Sequence, residues 1–205
     1  EGFGKILAEG SQKASEIIGR GTEDYLITSK GQEAPAHMPQ VKRSLSVIYA
    51  ANPFGADHES SEHDPAYKAY PERMEQIGLT NPQEKLALNE EMMRFAMVTQ
   101  HLSSAVDSLS VCAFIFGASF QLYDADKLVE VVNAVTGWDT DIAEILLVGE
   151  RRLNMLRAFN SREGIGRESD TLPKKMFKKP LNGGKSDGYL IDEKEWENAL
   201  EDYYR

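Results

Sequence analysis

The side chains best suited to chemistry are one thiol, a carboxylate close to it and the histidines of a polar loop. Cys112 is the only cysteine in 205 residues, and Asp107 precedes it by five positions. A thiolate binds metals, but a free cysteine also packs well as a small buried hydrophobe. The local sequence favours the packed thiol, with Asp107 ending a helix. The alternative is a metal ligand that this chain cannot use by itself.

His58 and His63 lie in the most polar stretch of the chain, residues 52–65, together with several acidic residues. Turn-forming residues stand at both ends, so the stretch is predicted to be a loop. The two histidines are five positions apart, which differs from the one-face spacing of a helical motif such as H-E-x-x-H. A zinc site here would need ligands from elsewhere.

The elements that position these residues are predicted to be helical, because apolar residues recur at three- and four-residue intervals. A short extended piece at residues 25–28 is expected to pair with a strand outside this chain, and residues 161–191 are expected to form an extended loop. The result is an all-α fold with long irregular connections. The predicted helices cover residues 3–18, 41–51, 66–79 with an interruption at Pro71, 82–106 after an Asn81 cap, 125–135 after Asp124, a segment from an Asp139 or Thr140 cap to 159, and 192–204.

Composition excludes several classes of partner. The chain carries 33 acidic and 23 basic residues, a net charge of −10, which disfavours binding to nucleic acid or to an anionic membrane. No apolar run approaches the ~18–20 residues of a membrane span, and no signal-peptide pattern occurs. A single cysteine allows no internal disulfide, which fits a reducing, cytoplasmic setting. The lysines of residues 174–179 are interpreted as a solvated face.

Motifs for nucleotide binding and for serine hydrolysis are absent. Residues 182–186 resemble the end of a phosphate-binding loop, but no strand precedes them and no apolar helix follows. The G-x-S-x-G nucleophile elbow does not occur. The residues taken by themselves therefore indicate only an acidic helical protein with one polar loop.

Eight segments, in order along the whole chain, carry a family resemblance. They are Gly2–Gly10, Lys30–His37, Gly55–His58, Asp107–Cys112, Gly137–Asp139, Gly149–Arg151, Leu156–Gly164 and Asp170–Pro173. Together they resemble the C-terminal part of the aldehyde:ferredoxin oxidoreductase family of tungsten or molybdenum pterin enzymes. Each segment is weak alone, whereas G-A-D-H, the D-x-x-G-L-C-like segment and the 156–164 run are distinctive in combination.

The resemblance implies a multihelical fold with irregular orthogonal helix packing. It implies that residues 1–45 end a middle helical domain and that residues 46–205 form a C-terminal helical domain. The chain begins at Glu1 without an initiator methionine and is expected to be cut from a larger protein. The expected partners are the N-terminal and middle domains of that protein, ferredoxin or another redox subunit, and, if the enzyme is a homodimer, a second copy.

The resemblance also implies the chemistry. The full-length enzyme would hold tungsten or molybdenum in a bis-pyranopterin, beside a [4Fe–4S] cluster, and would oxidise an aldehyde to a carboxylic acid. Cys112 would be the fourth cluster ligand, Asp107 and the backbone of Val111 would approach a pterin, and His58 would move a proton or orient the substrate. The chain alone offers one thiolate of four, so it is expected to hold no cofactor and to be inactive.

Three departures from the family pattern leave alternatives open. Phe54 stands where an arginine usually precedes G-A-D-H, Ser60 stands where many members have lysine, and Ser110-Val111 replaces Gly-Leu. These changes are compatible with another reaction in the family, such as aromatic acyl-CoA reduction or hydroxy-acid oxidation. They are also compatible with a non-catalytic helical interaction module. The catalytic interpretation expects Cys112 near a concave surface that also holds Asp107 and His58.

Overall fold

The computed structural model describes residues 2–205 and is dominated by helices, which confirms the all-α prediction. Glu1 lies outside the described residues. A two-strand hairpin, formed by β1 (Thr28–Ser29) and β2 (Gln32–Glu33), is the sheet structure within this range. The α-helices are α1 Phe3–Ala8, α2 Ser11–Ile18, α3 Arg43–Ala51, α4 Ala66–Ala69, α5 Pro71–Gln76, α6 Glu90–Ser108, α7 Ala125–Thr136, α8 Ile142–Arg162, α9 Lys174–Lys178 and α10 Glu193–Tyr203.

Helix α6 forms the centre of the fold and packs against α8, α10 and α3. Its contact with α8 depends on Gly149, because a Cβ atom at this position would lie 1.8 Å from the carbonyl oxygen of His101. The Ser104 hydroxyl donates to the Gly149 carbonyl over 2.9 Å across the same contact. The G-E-R segment of the family resemblance is therefore a helix-packing site.

The start of α6 differs from its prediction. Asn89, not Asn81, is the N-cap, and its side-chain oxygen accepts a hydrogen bond from the Met92 amide over 2.9 Å. Asn81-Pro82 is an equally good local cap signal, but the Asn81 amide instead donates to the Tyr67 hydroxyl. Two cap signals eight residues apart compete, and tertiary contacts select the second one.

The other helix predictions are correct in part. Asp124 and Asp192 cap α7 and α10 as expected, and Gly137 ends α7 in the left-handed region at φ 74°. Helix α8 begins after Asp141, slightly later than predicted. The predicted helix over residues 3–18 is two helices, since Gly10 takes φ 87° between them. The loop predicted for residues 161–191 contains the short helix α9.

The extended piece near residue 28 pairs within the chain, so the predicted pairing with an external strand is wrong. Thr28 pairs with Glu33 and Ser29 with Gln32 across a two-residue turn. The turn residues Lys30 and Gly31 both have positive φ, at 50° and 81°, as a type I′ hairpin turn requires. This geometry directs the Lys30 side chain into the protein, where it finds a buried partner.

A buried ion network joins segments that are distant in sequence, and we call it the Asp170 network. Lys30 Nζ lies 2.6 Å from Asp170 Oδ1, and Arg157 Nη2 lies 2.8 Å from Asp170 Oδ2. The Tyr204 hydroxyl also donates to Asp170, and Arg157 donates to the carbonyl of Ala51 over 2.6 Å. The hairpin, the end of α3, α8 and the C-terminus are thereby held together.

The expected division between residues 45 and 46 falls inside α3 and stays a prediction. Among residues 2–205, none of the helices combines the length and the apolar character needed to span a bilayer.

Candidate functional site

The G-A-D-H loop is held by its own polar side chains. Asn52 donates to the carbonyl of Gly55 over 3.0 Å and to the hydroxyl of Ser60 over 3.2 Å. Ser60 in turn donates to Asp57, which also accepts from the Glu59 amide over 3.3 Å. Asp57 and Ser60 therefore fold the loop. Gly55 packs against the hairpin, since a Cβ there would lie 2.3 Å from the Ser29 carbonyl oxygen.

Three histidines meet beside this loop. The ring centroid of His37 lies 4.7 Å from that of His58 and 4.4 Å from that of His63. Lys42 Nζ lies between two of the rings, 3.0 Å from His37 Nδ1 and 2.7 Å from His63 Nδ1. Within residues 2–205, no group of three or more His, Cys, Asp or Glu side chains is arranged to hold a metal ion.

Burial and the lysine keep the imidazoles of His37 and His63 neutral. Burial first and the Lys42 charge second lower the pKa of His63 to about 4, while a hydrogen bond to the His58 backbone opposes the shift. The pKa of His37 is lowered by burial and then by Lys42. The pKa of Lys42 itself is lowered by burial. A neutral imidazole whose Nδ1 accepts from lysine carries its proton on Nε2.

The histidines line a cavity of about 390 Å³. Leu102 and Val106 of α6 and Phe116 and Phe120 of the following loop give the cavity apolar and aromatic surface, and Glu59 and Glu62 also line it. The Ser61 side chain also lines it, is 6% exposed and makes no hydrogen bond within residues 2–205. A concave, mostly apolar pocket with a few polar groups at one end is the usual form of a small-molecule site.

Sequence reasoning singled out His58 and His63 but did not bring His37, Lys42 and Ser61 to the same site. The signal in the sequence near His37 was the pair Pro35 and Pro39, which predicts an irregular loop. These prolines do not indicate that the loop lies beside His58. His58 is partly exposed, and its Nε2 lies 3.0 Å from Glu59 Oε1. If Nε2 carries the proton shared with Glu59, Nδ1 keeps its lone pair.

Cys112 lies on an exposed turn at the end of α6, so the packed-thiol interpretation is wrong. The helix ends in a Schellman motif, because the Val111 amide donates to the Val106 carbonyl over 3.3 Å and the Ser110 amide to the Asp107 carbonyl over 3.0 Å. Ser110 takes the left-handed conformation at φ 55°. The segment that this one resembles has glycine there, which suits that conformation.

Asp107 lies away from the cavity, on the other side of the G-A-D-H loop. Its carboxylate lies 3.2 Å from Arg152 Nη1 and is half exposed. Asp107, Arg152, Phe54 and Ser60 line one shallow surface depression. Ala113, the next residue after Cys112, lines the cavity together with His58, but neither Asp107 nor Cys112 does. The described residues therefore do not bring Cys112, Asp107 and His58 to one concave surface, as the catalytic interpretation expects.

The surface around Cys112 is unusually apolar. Phe114, Phe120 and Leu122 are each more than 60% exposed, and the first two rings lie 6.3 Å apart. A monomeric protein rarely exposes several large apolar side chains together unless the surface binds something. The exposed thiol and the aromatic side chains thus belong to one surface.

The family assignment follows from comparison of the whole chain with known proteins. The family model described as "Aldehyde ferredoxin oxidoreductase, domains 2 & 3" matches residues 1–205. The chain belongs to the aldehyde ferredoxin oxidoreductase family. The predicted family is confirmed, and the exposed Cys112 turn and the histidine cavity are features of a member of this family.

Several relatives are named as tungsten-containing aldehyde ferredoxin oxidoreductases. The protein of Pyrococcus abyssi is 32% identical over 206 residues, which cover 100% of this chain and 31% of the relative. That of Pyrococcus furiosus is 31% identical over 207 residues, with the same coverage of both chains. The Thermococcus kodakarensis protein is 30% identical over 205 residues, covering 99% of this chain. The chain spans about a third of the length of these relatives.

Proposed function

We propose that this chain is the part of an aldehyde-oxidising tungsten or molybdenum enzyme that supplies His58, Asp107, Val111 and Cys112 to a shared active site. The observation that carries the proposal is the exposed Cys112 turn beside the histidine cavity, in a chain that matches its family from end to end. The remaining domains of the enzyme would contribute the other ligands.

The residues present fit this assignment. Cys112 is an accessible thiol on a turn that is fixed by the end of a long helix, as a ligand to an iron–sulfur cluster must be. Asp107 and Arg152 provide an anion and a cation beside the G-A-D-H loop. Arg152 lines the same depression as Phe54 and Ser60, so a positive charge remains where the loop itself lacks the arginine and lysine of the family pattern.

The overall reaction converts an aldehyde and water to a carboxylate, three protons and two electrons. The metal pterin would supply the two-electron chemistry when bound, and the cluster would pass the electrons to ferredoxin. His58 would accept one of the protons at Nδ1, since its Nε2 lies 3.0 Å from Glu59 Oε1. The cavity wall formed by Leu102, Val106 and Phe116 would exclude water from the carbon chain of the substrate.

Metal analysis and turnover of the complete polypeptide, expressed anaerobically with tungstate or molybdate, test the proposal. We expect iron together with tungsten or molybdenum, and aldehyde-dependent ferredoxin reduction. Cys112→Ser should lose iron. His58→Gln should keep both metals and lower kcat by about 10²–10⁴-fold, as loss of a general acid or base does. His101→Gln is the matched control, because this histidine does not line the cavity.

A protein that contains neither iron nor tungsten or molybdenum would refute the proposal. That result would favour the non-catalytic helical module instead. Metals without aldehyde oxidation would point to another reaction of the family, such as acyl-CoA reduction or hydroxy-acid oxidation, which the same preparation can be assayed for.

A further inference from the structure

The loop that follows the Cys112 turn is closed at its base by backbone hydrogen bonds. The Gly117 amide donates to the Tyr123 carbonyl over 3.1 Å, and the Tyr123 amide donates to the Ile115 carbonyl over 2.7 Å. We call residues 117–122 the aromatic loop. Its base is fixed by the backbone, so the position of its tip depends on side-chain contacts.

Polar side chains of the aromatic loop are buried, while its two large apolar side chains are exposed. Ser119 and Gln121 are buried, whereas Phe120 and Leu122 are more than 60% exposed. The Gln121 side-chain oxygen accepts a hydrogen bond from the Ser119 amide over 2.8 Å. The same side chain lies against Gly117, since a Cβ there would be 2.3 Å from Gln121 Cδ. Because Phe120 and Leu122 bury little area, polar contacts must hold the loop in place.

Glu62 supplies two of these contacts from the other side of the cavity. Its Oε2 accepts from the Ser119 hydroxyl over 2.6 Å, and its Oε1 accepts from Gln121 Nε2 over 2.8 Å. Arg73 adds a third contact, since its Nη1 donates to the Gln121 carbonyl over 2.8 Å. Hydrogen bonds to an ionised carboxylate are stronger than those between neutral groups. Glu62, the neighbour of His63, therefore joins the histidine side of the cavity to the aromatic loop.

Glu62 and the aromatic loop line the same cavity, with Phe120 at its aromatic surface. We propose that Glu62 is a positioning residue, whose carboxylate fixes the aromatic loop and thereby places Phe120 at the cavity. The space open to the distal part of a ligand is then determined by hydrogen bonds from Glu62. This inference rests on the proposed function for its effect on turnover, while the fixing of the loop rests on the described contacts alone.

A carboxylate that lines a cavity can also act as a general acid or base, and Glu62→Gln distinguishes the two roles. A glutamine oxygen can accept from Gln121, and its nitrogen can donate to the Ser119 oxygen. The Ser119 hydroxyl then turns to Gln121 Oε1, which is 3.3 Å away. The loop would keep its position in this variant, whereas proton transfer by Glu62 would be lost.

Hydrogen exchange of the complete polypeptide, followed by mass spectrometry, measures the loop without metal or substrate. Glu62→Ala should speed amide exchange in residues 117–123 by about tenfold or more, the usual effect of losing a hydrogen bond to a charged group. Glu62→Gln should stay close to the wild type. Glu75→Ala is the matched control and should change nothing, because Glu75 is exposed and its side chain makes no hydrogen bond or ion pair among the described residues.

Gln121→Leu breaks the same link from the loop side. It should also speed exchange in residues 117–123, and the variant that combines it with Glu62→Ala should exchange more slowly than the product of the two single effects. A combined effect equal to that product would show that the two side chains act separately, which overturns the inference. If Glu62→Ala does not fold, Glu62→Gln and Gln121→Leu still decide the result.

Turnover of the metal-loaded enzyme tests the consequence for ligands of different size. Glu62→Ala should raise KM for benzaldehyde by about tenfold or more, the effect of lost apolar contacts in a pocket. For acetaldehyde, which fills less of the cavity, KM should change by less than about twofold, as should kcat for both substrates. Glu62→Gln should behave as the wild type. Loss of kcat in Glu62→Gln with unchanged exchange would instead make Glu62 an acid or base.

Exchange in Glu62→Ala at the wild-type rate would contradict the positioning role, whatever the turnover. The proposed function is tested separately by the metal content. A polypeptide that shows the expected exchange but contains neither iron nor tungsten or molybdenum would refute the proposed function and keep the role of Glu62 in holding the aromatic loop.

Discussion

The Asp170 network and the histidine cavity both bury polar side chains, but they use them in opposite ways. In the Asp170 network, one carboxylate receives Lys30, Arg157 and Tyr204. In the cavity, Lys42 binds two rings, while Ser61 is left without a partner within residues 2–205. Paired opposite charges hold segments of a fold together, whereas a buried hydroxyl with an unused donor marks a place for a ligand.

The segments that resemble the family are distributed between these two regions. Lys30, Arg157 and Asp170 belong to three of the resembling segments, and all three contribute to the Asp170 network. Gly149 belongs to another segment and serves the contact between α6 and α8. Much of what makes the chain recognisable is therefore structural. His37 and His58 are the residues of these segments that line the cavity.

The largest effect is expected from Asp170→Asn. Burial alone would raise the pKa of Asp170, but hydrogen bonds from Arg157, Lys30 and Tyr204 lower it below the ordinary value. The neutral amide would leave Lys30 and Arg157 without a counter-charge, which costs about 3–5 kcal/mol of unfolding free energy. Urea denaturation at pH 7 measures this loss.

Asp139→Asn is the matched control, because Asp139 is exposed and makes no hydrogen bond or ion pair among the described residues. It should change stability by less than about 0.5 kcal/mol. The stability that Asp170 contributes is fully present above the carboxylate's unfolded pKa of about 4 and is lost as the pH falls through the lower folded pKa. Equal losses in the two variants would show that the network is not structural.

A smaller effect is expected from pH, through the cavity residue His63 and its buried neighbour in sequence, Asp64. The pKa of buried Asp64 is raised to about 6, so its contribution is full below about pH 4 and is lost as the pH rises to about 6. The pKa of His63 is lowered to about 4, so its contribution is full above about pH 6.5 and is lost as the pH falls. The two dependences oppose each other in the wild type.

Single substitutions should separate the pH dependence of stability due to Asp64 from that due to His63. Asp64→Asn can keep both hydrogen bonds to Ser44 and should make stability rise from pH 4 to 6.5, by roughly 2–3 kcal/mol. His63→Gln should make it fall over the same range, although less steeply, since His37 and His101 also have lowered pKa values. Denaturation at a series of pH values measures the stability of both variants. If stability changes with pH in the same direction in both, the opposing roles of Asp64 and His63 are contradicted.

The smallest effect is expected from a comparison of two residues with positive φ, Ser110 and Lys30. Ser110 adopts φ 55° on the exposed Cys112 turn, and its hydroxyl makes no hydrogen bond among the described residues. Ser110→Gly should therefore stabilise the protein by about 1 kcal/mol, the cost of a left-handed residue with a Cβ. Ser110→Ala keeps the Cβ and should give no gain. Thermal unfolding is sufficient to see the difference.

Lys30 has a similar backbone conformation, at φ 50°, but the opposite result is expected there. Lys30→Gly would relieve the backbone and also remove the buried partner of Asp170, so it should destabilise the protein. A stabilised Lys30→Gly variant would mean that backbone strain in the hairpin affects the stability of this region more than the ion pair with Asp170 does.

Much of the fold was predictable because it depends on local signals. Helices α7 and α10 were recognised from their Asp caps and apolar faces, and the break at Pro71 was also correct. The start of α6 was wrong because Asn81 and Asn89 carry equivalent cap signals. The partner of β1 was wrong because strand pairing depends on the turn at Lys30-Gly31, whose positive φ at a lysine has no clear local signal.

The sequence by itself determined the helical class and the family and named His58 and Cys112 as candidates, since these depend on periodicity and on residue order. Only the tertiary structure decided that Cys112 is exposed, that Asp107 faces Arg152, and that His37 and Lys42 join His58. The reason is physical. A cap or an amphipathic face acts over a few residues, whereas burial and hydrogen bonding at the cavity depend on segments that folding alone brings together.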